Sequence, residues 1–423
     1  MNTPPPIPGG VPVEPPLRNR AFLGLMVYRL FTILSYQVVA VTVGWHVYEL
    51  TRDPWKLGLI GLAEVLPFFC VAPFAGYLVD HLPKRRLGVT ACIGLALTPL
   101  ILVAVASAWV FADPAQLTSR LWLIYAAIVF TGAVRAFLGP VYNTLFARAL
   151  QREHFTRGAG IGSVVFQAGL VLGPAIGGLV VGFAGKSASY GLAVALALVA
   201  VGALLTLRIE EPPLSHERAD VFTSIGEGLR FVFRTPAMLG AMALDMFAVL
   251  FGGAISLAPA FIKDVLHAGP EALGVLRAAP AVGAVIVGIW LSRRPIERNA
   301  GRILLGVVAG FGLCIIGFGL SKVLWLSVLF MFLSGIFDGV SVVLRSTILQ
   351  LATPDHMRGR VSSINSIFIS SSNELGAFYA GSMARLLGLV NAVVLGGCVT
   401  LGVVAFTALK SRTMRELDLR SLR

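Results

Sequence analysis

Apolar residues form long runs along this chain, and short polar or charged segments separate one run from the next. Runs of about 18 residues or more are long enough to cross a bilayer as helices. Twelve such spans are predicted, near 21–48, 57–79, 87–112, 119–147, 159–184, 188–207, 237–262, 269–291, 303–320, 323–350, 359–385 and 389–410. The pattern therefore predicts an all-α polytopic membrane protein.

The longest polar interval, 208–236, divides the spans into two sets of six. Its second part, "SIGEGLRFVFRTP", places Ile225, Leu229 and Val232 or Phe233 at helical spacing, which predicts a short amphipathic helix at the cytoplasmic surface. We therefore expect five segments: a disordered Pro-rich tail 1–20, a six-helix half 21–207, the linker 208–236, a second six-helix half 237–410 and a C-terminal tail 411–423.

The two halves resemble each other. A shift of 203 residues lays the fourth and fifth spans on the tenth and eleventh, so that Gly132 meets Gly335. A shift of 213 lays the second span on the eighth, so that Pro67 meets Pro280, and a shift of 216 aligns the first with the seventh. Duplicated halves with a binding site between them are typical of secondary transporters, which predicts two pseudo-symmetric six-helix halves here.

Lys and Arg residues indicate the orientation of these spans. The chain has 34 of them against 21 Asp and Glu, and 23 of the 34 fall in the two tails and in alternate loops. Cytoplasmic loops carry such an excess. We therefore expect both termini in the cytoplasm. A separate expectation is a location in a plasma membrane, the inner membrane of a bacterium.

Other classes of function have little support. The basic residues form short clusters between apolar spans, with no basic face and no interleaved aromatic residues, which argues against a nucleic-acid partner. The four Cys have no CxxC spacing and the six His are scattered, so neither a metal site nor a cofactor is expected. No nucleophile motif or Walker motif indicates an enzyme.

Charge is concentrated in "GYLVDHLPKRRL", between the second and third spans. The segment resembles the loop motif of the major facilitator superfamily, G-x-x-x-D-R-x-G-R-R, at Gly76, Asp80, Lys84 and Arg85. His81 and Pro83 depart from it. The resemblance implies a latch, in which Asp80 holds the halves together through a basic residue such as those in 358–360. The alternative is a solvated loop whose basic residues only set orientation.

A second motif lies in the fifth span. "GLVLGPAIGG" is similar to the superfamily's antiporter motif, G-x-x-x-G-P-x-x-G-G, at every fixed position, which are Gly169, Gly173, Pro174, Gly177 and Gly178. The resemblance implies export of a substrate in exchange for protons. The alternative is small-residue packing without a coupling role.

A third motif, "RAFLG" (135–139), resembles R-x-x-x-G of the fourth span, and the resemblance implies that Arg135 faces the central cavity. Together with "EGLRFVFRTP" (227–236) and "PDHMRGRVSS" (354–363), it is similar to the enterobactin-exporter and macrolide-efflux branch of the superfamily.

Ionisable residues within the spans should face a cavity or a partner, because an isolated charge in hydrocarbon is costly. The deep ones are Arg29, Glu64, Arg135, Asp245, Arg277, Asp338, Arg345 and Glu374. The repeat alignment opposes their signs, with Arg29 on Asp245, Glu64 on Arg277 and Arg135 on Asp338.

Two interpretations of this sign reversal stay open. In the first, basic residues of the first half face acidic residues of the second half across a central cavity. In the second, each charge is neutralised within its own half, as Arg345 could neutralise Asp338. Asp338 and Asp245 are the first candidates for a proton carrier, followed by Glu64 and Glu374. No acid lies near the middle of the first span, unlike in some multidrug exporters.

The sequence thus predicts a secondary transporter of the major facilitator fold, working as a monomer in a lipid bilayer by alternating access. Its expected partners are a small amphipathic organic substrate, of drug or siderophore type, that leaves the cell, and protons that enter. One alternative is an importer or facilitator of a small metabolite on the same fold. A membrane receptor without transport is a third interpretation, but it has no need of costly buried charges.

Overall fold

The structure is a computed structural model that describes residues 16–107, 117–151, 154–207, 209, 221–294, 296, 298–354 and 357–419. Described residues form α-helices joined by short connections, with no β-strand among them. This agrees with the all-α prediction, because a helix satisfies all its backbone hydrogen bonds internally and can therefore stand in hydrocarbon.

Helices of the first half are α1 (Arg20–Thr51), α2 (Pro54–His81), α3 (Lys84–Ala106), α4 (Leu117–Ala149) and α5 (Phe155–Thr206). One residue inside α5, Gly185, has a non-helical backbone with φ of 83°, a conformation that glycine adopts without steric cost. This break separates the fifth span from the sixth, where the sequence predicts the boundary between 184 and 188.

The linker contains α6 (Val221–Arg234). The second half follows with α7 (Pro236–Phe251), α8 (Ala258–Asp264), α9 (Glu271–Arg293), α10 (Ala300–Leu320), α11 (Leu324–Ala352), α12 (Arg358–Leu387), α13 (Leu389–Lys410) and α14 (Arg412–Arg415). The seventh span consists of α7, a 3₁₀ turn and α8.

Ten of the described helical stretches are long and apolar enough to span a membrane, and one of them, 157–206, holds two spans. The remaining span is α12, the eleventh in chain order, whose first half, "RGRVSSINSIFISSSNE", is rich in Ser and Asn. Counted with α12, the described residues form twelve helical spans.

Equivalent helices cross in equivalent ways in the two halves. Gly132 of α4 packs against Pro67 of α2, and Gly335 of α11 packs against Pro280 of α9. These are the residues that the repeat alignment superposes. A Cβ at either glycine would meet backbone atoms of the neighbouring helix, so the small residue allows the helices to approach closely. The two halves are pseudo-symmetric.

Contacts between the halves are most extensive in two helix pairs, α2 with α12 and α5 with α9. Gly58 lies against Gly381 in the first pair, and Gly178 lies against Gly274 in the second. A polar contact is added where α1 meets α8, because Asp264 accepts a hydrogen bond from the Tyr48 hydroxyl. These contacts lie toward the end of the molecule opposite the chain termini, which we call the far end.

The described parts of the linker and of the C-terminal tail are packed against the second half. Val232 of the predicted amphipathic helix is buried against α7 and α12, while Leu229 and Phe233 are exposed; the side chain of Ile225 lies outside the described residues. In the C-terminal tail, Met414 is fully buried and contacts Gly240 and Gly301. The described part of this tail is therefore an ordered element that ties α7 to α10.

Candidate functional site

Deep charges of three helices meet around Arg135 of α4. Its guanidinium forms an ion pair with Glu64 of α2 and lies 3.8 Å from Oε1 of Glu374 of α12. It also stacks over the ring of Tyr36 of α1, with 4.4 Å between the guanidinium carbon and the ring centroid. Arg135 therefore neutralises a carboxylate in its own half and one in the other half at the same time.

Small residues bring these three helices together. Gly132, one turn before Arg135, packs on the carbonyl of Glu64, and Gly61 packs on the carbonyl of Glu374. Backbones that approach this closely place long side chains within reach of one another across the helix interface. The ion-pair network follows from the same glycines that set the helix crossings.

Arg277 of α9 is the repeat equivalent of Glu64, yet it makes a different contact. Its Nε is buried without a hydrogen-bond partner among the described residues, and its charge interacts with that of Glu374. The repeat equivalent of the Glu64–Arg135 pair would be Arg277 with Asp338, and this pair is not formed among the described residues. The ion pair between α2 and α4 is thus formed in the first half, but its repeat equivalent between α9 and α11 is not formed among the described residues.

Asp245 of α7 and Arg345 of α11 form a second ion pair. Their side chains are only 9% and 6% exposed, so each neutralises the other in a buried setting. Asp245 also lines a small cavity together with Asp338 and Ser341. Two carboxylates of the second half therefore lie at one cavity, and one of them has an arginine partner.

Arg29 of α1 is held by aromatic rings. Its guanidinium carbon lies 3.9 Å from the ring centroid of Tyr142 and 5.1 Å from that of Phe166. Gly162 of α5 leaves room for the Tyr142 hydroxyl and for the guanidinium. Within the described part of the chain, no carboxylate lies at ion-pair distance from Arg29. Cation–π contact of this kind offsets part of the cost of burying a cation.

These positions decide between the two interpretations of the sign reversal. Arg29 and Asp245 do not form the pair of the first interpretation, because Asp245 pairs with Arg345 of its own half. Arg135 pairs chiefly with Glu64, also within one half, and its contact across the halves is to Glu374 rather than Asp338. The suggested pair of Asp338 with Arg345 is absent among the described ion pairs. Neutralisation within each half therefore dominates, but through partners on other helices.

Four glycines of the antiporter motif pack on two neighbouring helices. Gly169, Gly173 and Gly177 lie against Ile33, Gln37 and Val38 of α1, in that order. Gly178 lies against Gly274 of α9, in the other half. Pro174 is inside α5. The motif thus forms a helix face without bulky side chains, along which α5 packs closely on α1 and on α9 of the second half.

The loop motif is described only in part. Lys84 is buried, and Arg85 donates hydrogen bonds to the carbonyls of Leu204, at 2.9 Å, and Leu205, which end α5. The Leu204 carbonyl also accepts a hydrogen bond from the backbone N–H of Leu207 at 3.3 Å, so Arg85 adds a side-chain donor to the last turn of the helix. Gly76 and Asp80 belong to α2, but their surroundings and the side chains of 358–360 lie outside the described residues. The proposed latch stays a prediction.

Several contact residues have no sequence motif of their own. Tyr36, Tyr142 and Phe166 are aromatic residues within apolar spans, where aromatic residues are common. Ser341 lies in the segment "DGVSVVL", which matches no motif. Helical spacing from a deep arginine could have suggested Tyr36, which lies seven residues after Arg29 on α1, but not that Arg135 is its partner.

Twelve helices in two repeated halves, with paired charges in the membrane interior, define a polytopic membrane transporter. A family profile described as the Major Facilitator Superfamily matches residues 25–377. The chain belongs to this superfamily, and it is a transporter rather than an enzyme.

Relatives and solved structures agree with this assignment. The uncharacterized MFS-type transporter YfiS of Bacillus subtilis (strain 168) is 25% identical over 398 residues, covering 89% of this chain and 92% of YfiS. The enterobactin exporter EntS of Escherichia coli O81 (strain ED1a) is 25% identical over 374 residues, covering 87% and 86%. A bacterial homolog of the human lysosomal transporter Spinster, in an inward-facing and occupied conformation, superposes with a TM-score of 0.72 at 16% identity, covering 96% and 98%. The nucleoside transporter NupG has a TM-score of 0.67 at 14% identity, covering 93% and 99%.

Proposed function

We propose that this transporter exports a small amphipathic organic compound, of drug or siderophore type, in exchange for protons. The observation that carries the proposal is the complete antiporter motif, whose glycines pack α5 onto α1 and onto α9 of the other half. The similarity to an enterobactin exporter over most of both chains supports the direction of transport. Import or facilitated passage of a small metabolite is the alternative, since the nucleoside transporter NupG shares the fold.

Alternating access would move the two halves, 21–207 and 237–410, against each other, with 208–236 as the connection between them. Close packing of Gly58 on Gly381 and of Gly178 on Gly274 suits the state in which the far end is closed. The distance between Arg135 and Glu374 would change as the halves separate, because these two residues belong to different halves. With both termini in the cytoplasm of a bacterial inner membrane, the far end would face outward.

Asp338 is the proposed proton carrier. It lines a membrane-buried cavity and has no ion pair among the described residues, whereas Asp245, Glu64 and Glu374 each lie near an arginine. A carboxylate without a counter-ion is costly in its charged form at this depth, and a bound proton removes that cost. Arg345 would balance Asp245 beside this cavity, Arg29 would stay on its aromatic rings in the first half, and a substrate would bind between the halves.

The test uses inverted membrane vesicles and a panel of fluorescent amphipathic compounds, with and without a pH gradient. We expect gradient-driven uptake by the wild type, and Asp338→Asn should lose the gradient dependence while exchange without a gradient continues. Glu416→Gln, which removes an exposed carboxylate at the C-terminus, is the control and should behave as the wild type. Full gradient dependence in Asp338→Asn would exclude Asp338 as the carrier, and wild-type transport indifferent to the gradient would exclude proton exchange.

A further inference from the structure

A small cavity lies between α7, α10 and α11 in the second half. Its polar lining residues are Asp245, Asp338 and Ser341, and Phe311 and Phe337 are among the apolar ones. The space suffices for about one water-sized occupant. A drug-sized substrate is therefore too large for this cavity, whereas a water molecule or a small ion fits.

Oxygen atoms at this cavity have unused binding capacity. Ser341 is 2% exposed, and its hydroxyl has no hydrogen-bond partner among the described residues. Asp338 has neither a hydrogen bond nor an ion pair within the same part of the chain. Arg345 contacts Oδ2 of Asp245, and no described contact uses Oδ1. A buried hydroxyl normally has a partner, so the unmet Ser341 hydroxyl, beside carboxylate oxygens that no described contact uses, indicates an occupant.

Charge specifies the occupant further. With both carboxylates ionised, Asp245, Asp338 and Arg345 carry one negative charge in excess, inside a membrane where uncompensated charge is costly. One monovalent cation balances this charge, whereas a divalent cation would reverse it. The donors are carboxylate and hydroxyl oxygens, which suit hard cations.

We propose that this cavity binds a sodium ion when Asp338 is ionised. The ion would be held by the Asp338 carboxylate, the free oxygen of Asp245 and the Ser341 hydroxyl. A proton on Asp338 would neutralise the same excess charge, so Na⁺ and H⁺ are alternative occupants. The proposal goes beyond proton exchange and does not require it, because ion binding is measured without transport.

The experiment uses the purified full chain in detergent at one pH, with choline chloride replaced stepwise by NaCl at constant ionic strength. Thermal unfolding and the binding of radioactive sodium are followed. We expect saturable stabilisation and saturable binding with Na⁺, and at least a tenfold weaker response with K⁺, which is larger. Asp338→Asn should abolish the Na⁺ response.

If Asp338→Asn fails to fold, Ser341→Ala tests the site instead, because it removes one oxygen ligand and little volume. It should weaken Na⁺ binding about tenfold or more, whereas Ser341→Thr, which keeps the hydroxyl, should retain most of it. Ser346→Ala is the matched control, since Ser346 is exposed on the same helix and should leave binding unchanged.

Equal responses to Na⁺, K⁺ and choline would overturn the proposal, and so would a Ser341→Ala variant that binds Na⁺ as the wild type does. The outcome is separable from that for the proposed function. Gradient-driven export without Na⁺ binding would support the proposed exporter and contradict the ion site. Na⁺ binding in a protein that shows no export would support the ion site and contradict the proposed exporter.

Discussion

A single arginine shows how charge is placed in this protein at the scale of the residue. Arg135 is shared by Glu64 in its own half and Glu374 in the other, and it stacks on Tyr36. A cation between two carboxylates offsets the cost of burying both of them. Removing it leaves Glu64 without its counter-ion and Glu374 with only its interaction with Arg277, which is a far larger change than the loss of a surface ion pair.

Arg135→Gln should therefore destabilise the protein by about 3 kcal/mol, as the loss of one partner of a buried pair does. The double variant Arg135→Gln with Glu64→Gln should recover part of this loss, because one of the uncompensated charges is gone. Thermal unfolding in detergent measures both. Arg157→Gln, at an exposed position on α5, should leave stability unchanged. A double variant no more stable than the single would show that Glu64 does not depend on Arg135.

At the scale of the helix, close approach of two glycines decides how α5 meets α9. A Cβ on Gly178 would meet backbone atoms of Gly274, which have no side-chain freedom with which to move away. Gly202 lies in the sixth span, beyond the break at Gly185, and a Cβ there meets nothing within 4 Å. One glycine is required by the contact between the halves, and the other is not.

Gly178→Ala should hold the halves apart at the far end and lower transport about tenfold or more. Gly202→Ala should transport normally and be slightly more stable, since alanine favours a helix by about 1 kcal/mol over glycine. The rate of thiol labelling at a cysteine introduced at Thr51, in a cysteine-free background, measures access to the far end. We expect faster labelling in the first variant only, and equal rates in both would contradict the steric argument.

At the scale of the whole molecule, polar contacts at the far end join the halves beyond the apolar packing. Asp264 of the second half accepts from the Tyr48 hydroxyl and lies 3.4 Å from Nη1 of Arg52, both in the first half. Arg52 and Asp264 are 61% and 44% exposed, so solvent screens this ion pair. The contact therefore shifts the balance between open and closed states without determining it.

Asp264→Ala should shift that balance by about 1 kcal/mol, which is roughly fivefold in population. The same labelled cysteine at Thr51 should react a few times faster in this variant, and Tyr48→Phe should give a smaller change in the same direction. The surface pair of Arg412 and Glu416 lies near the C-terminus, so Glu416→Gln should leave the labelling rate unchanged. A labelling rate independent of Asp264 would assign closure to the glycine contacts alone.

The sequence by itself determined the number and kind of the helices. The hydropathy of a span depends only on residues that are close along the chain, and a helix makes its backbone hydrogen bonds within itself. Apolar runs were therefore sufficient to predict twelve helices. Repeat matching also anticipated that Gly132 and Gly335 would play the same part, because a duplicated helix crossing keeps its small residue.

Only the tertiary structure decided which charges meet. Asp245 and Arg345 are on different helices, as are Glu64 and Arg135, and helical spacing does not specify how one helix is rotated against another. The same holds for Ser341, whose hydroxyl matters because α7, α10 and α11 enclose a cavity beside it. A charge in the membrane pairs with whatever partner the packing brings within reach, so its partner follows from the assembled fold.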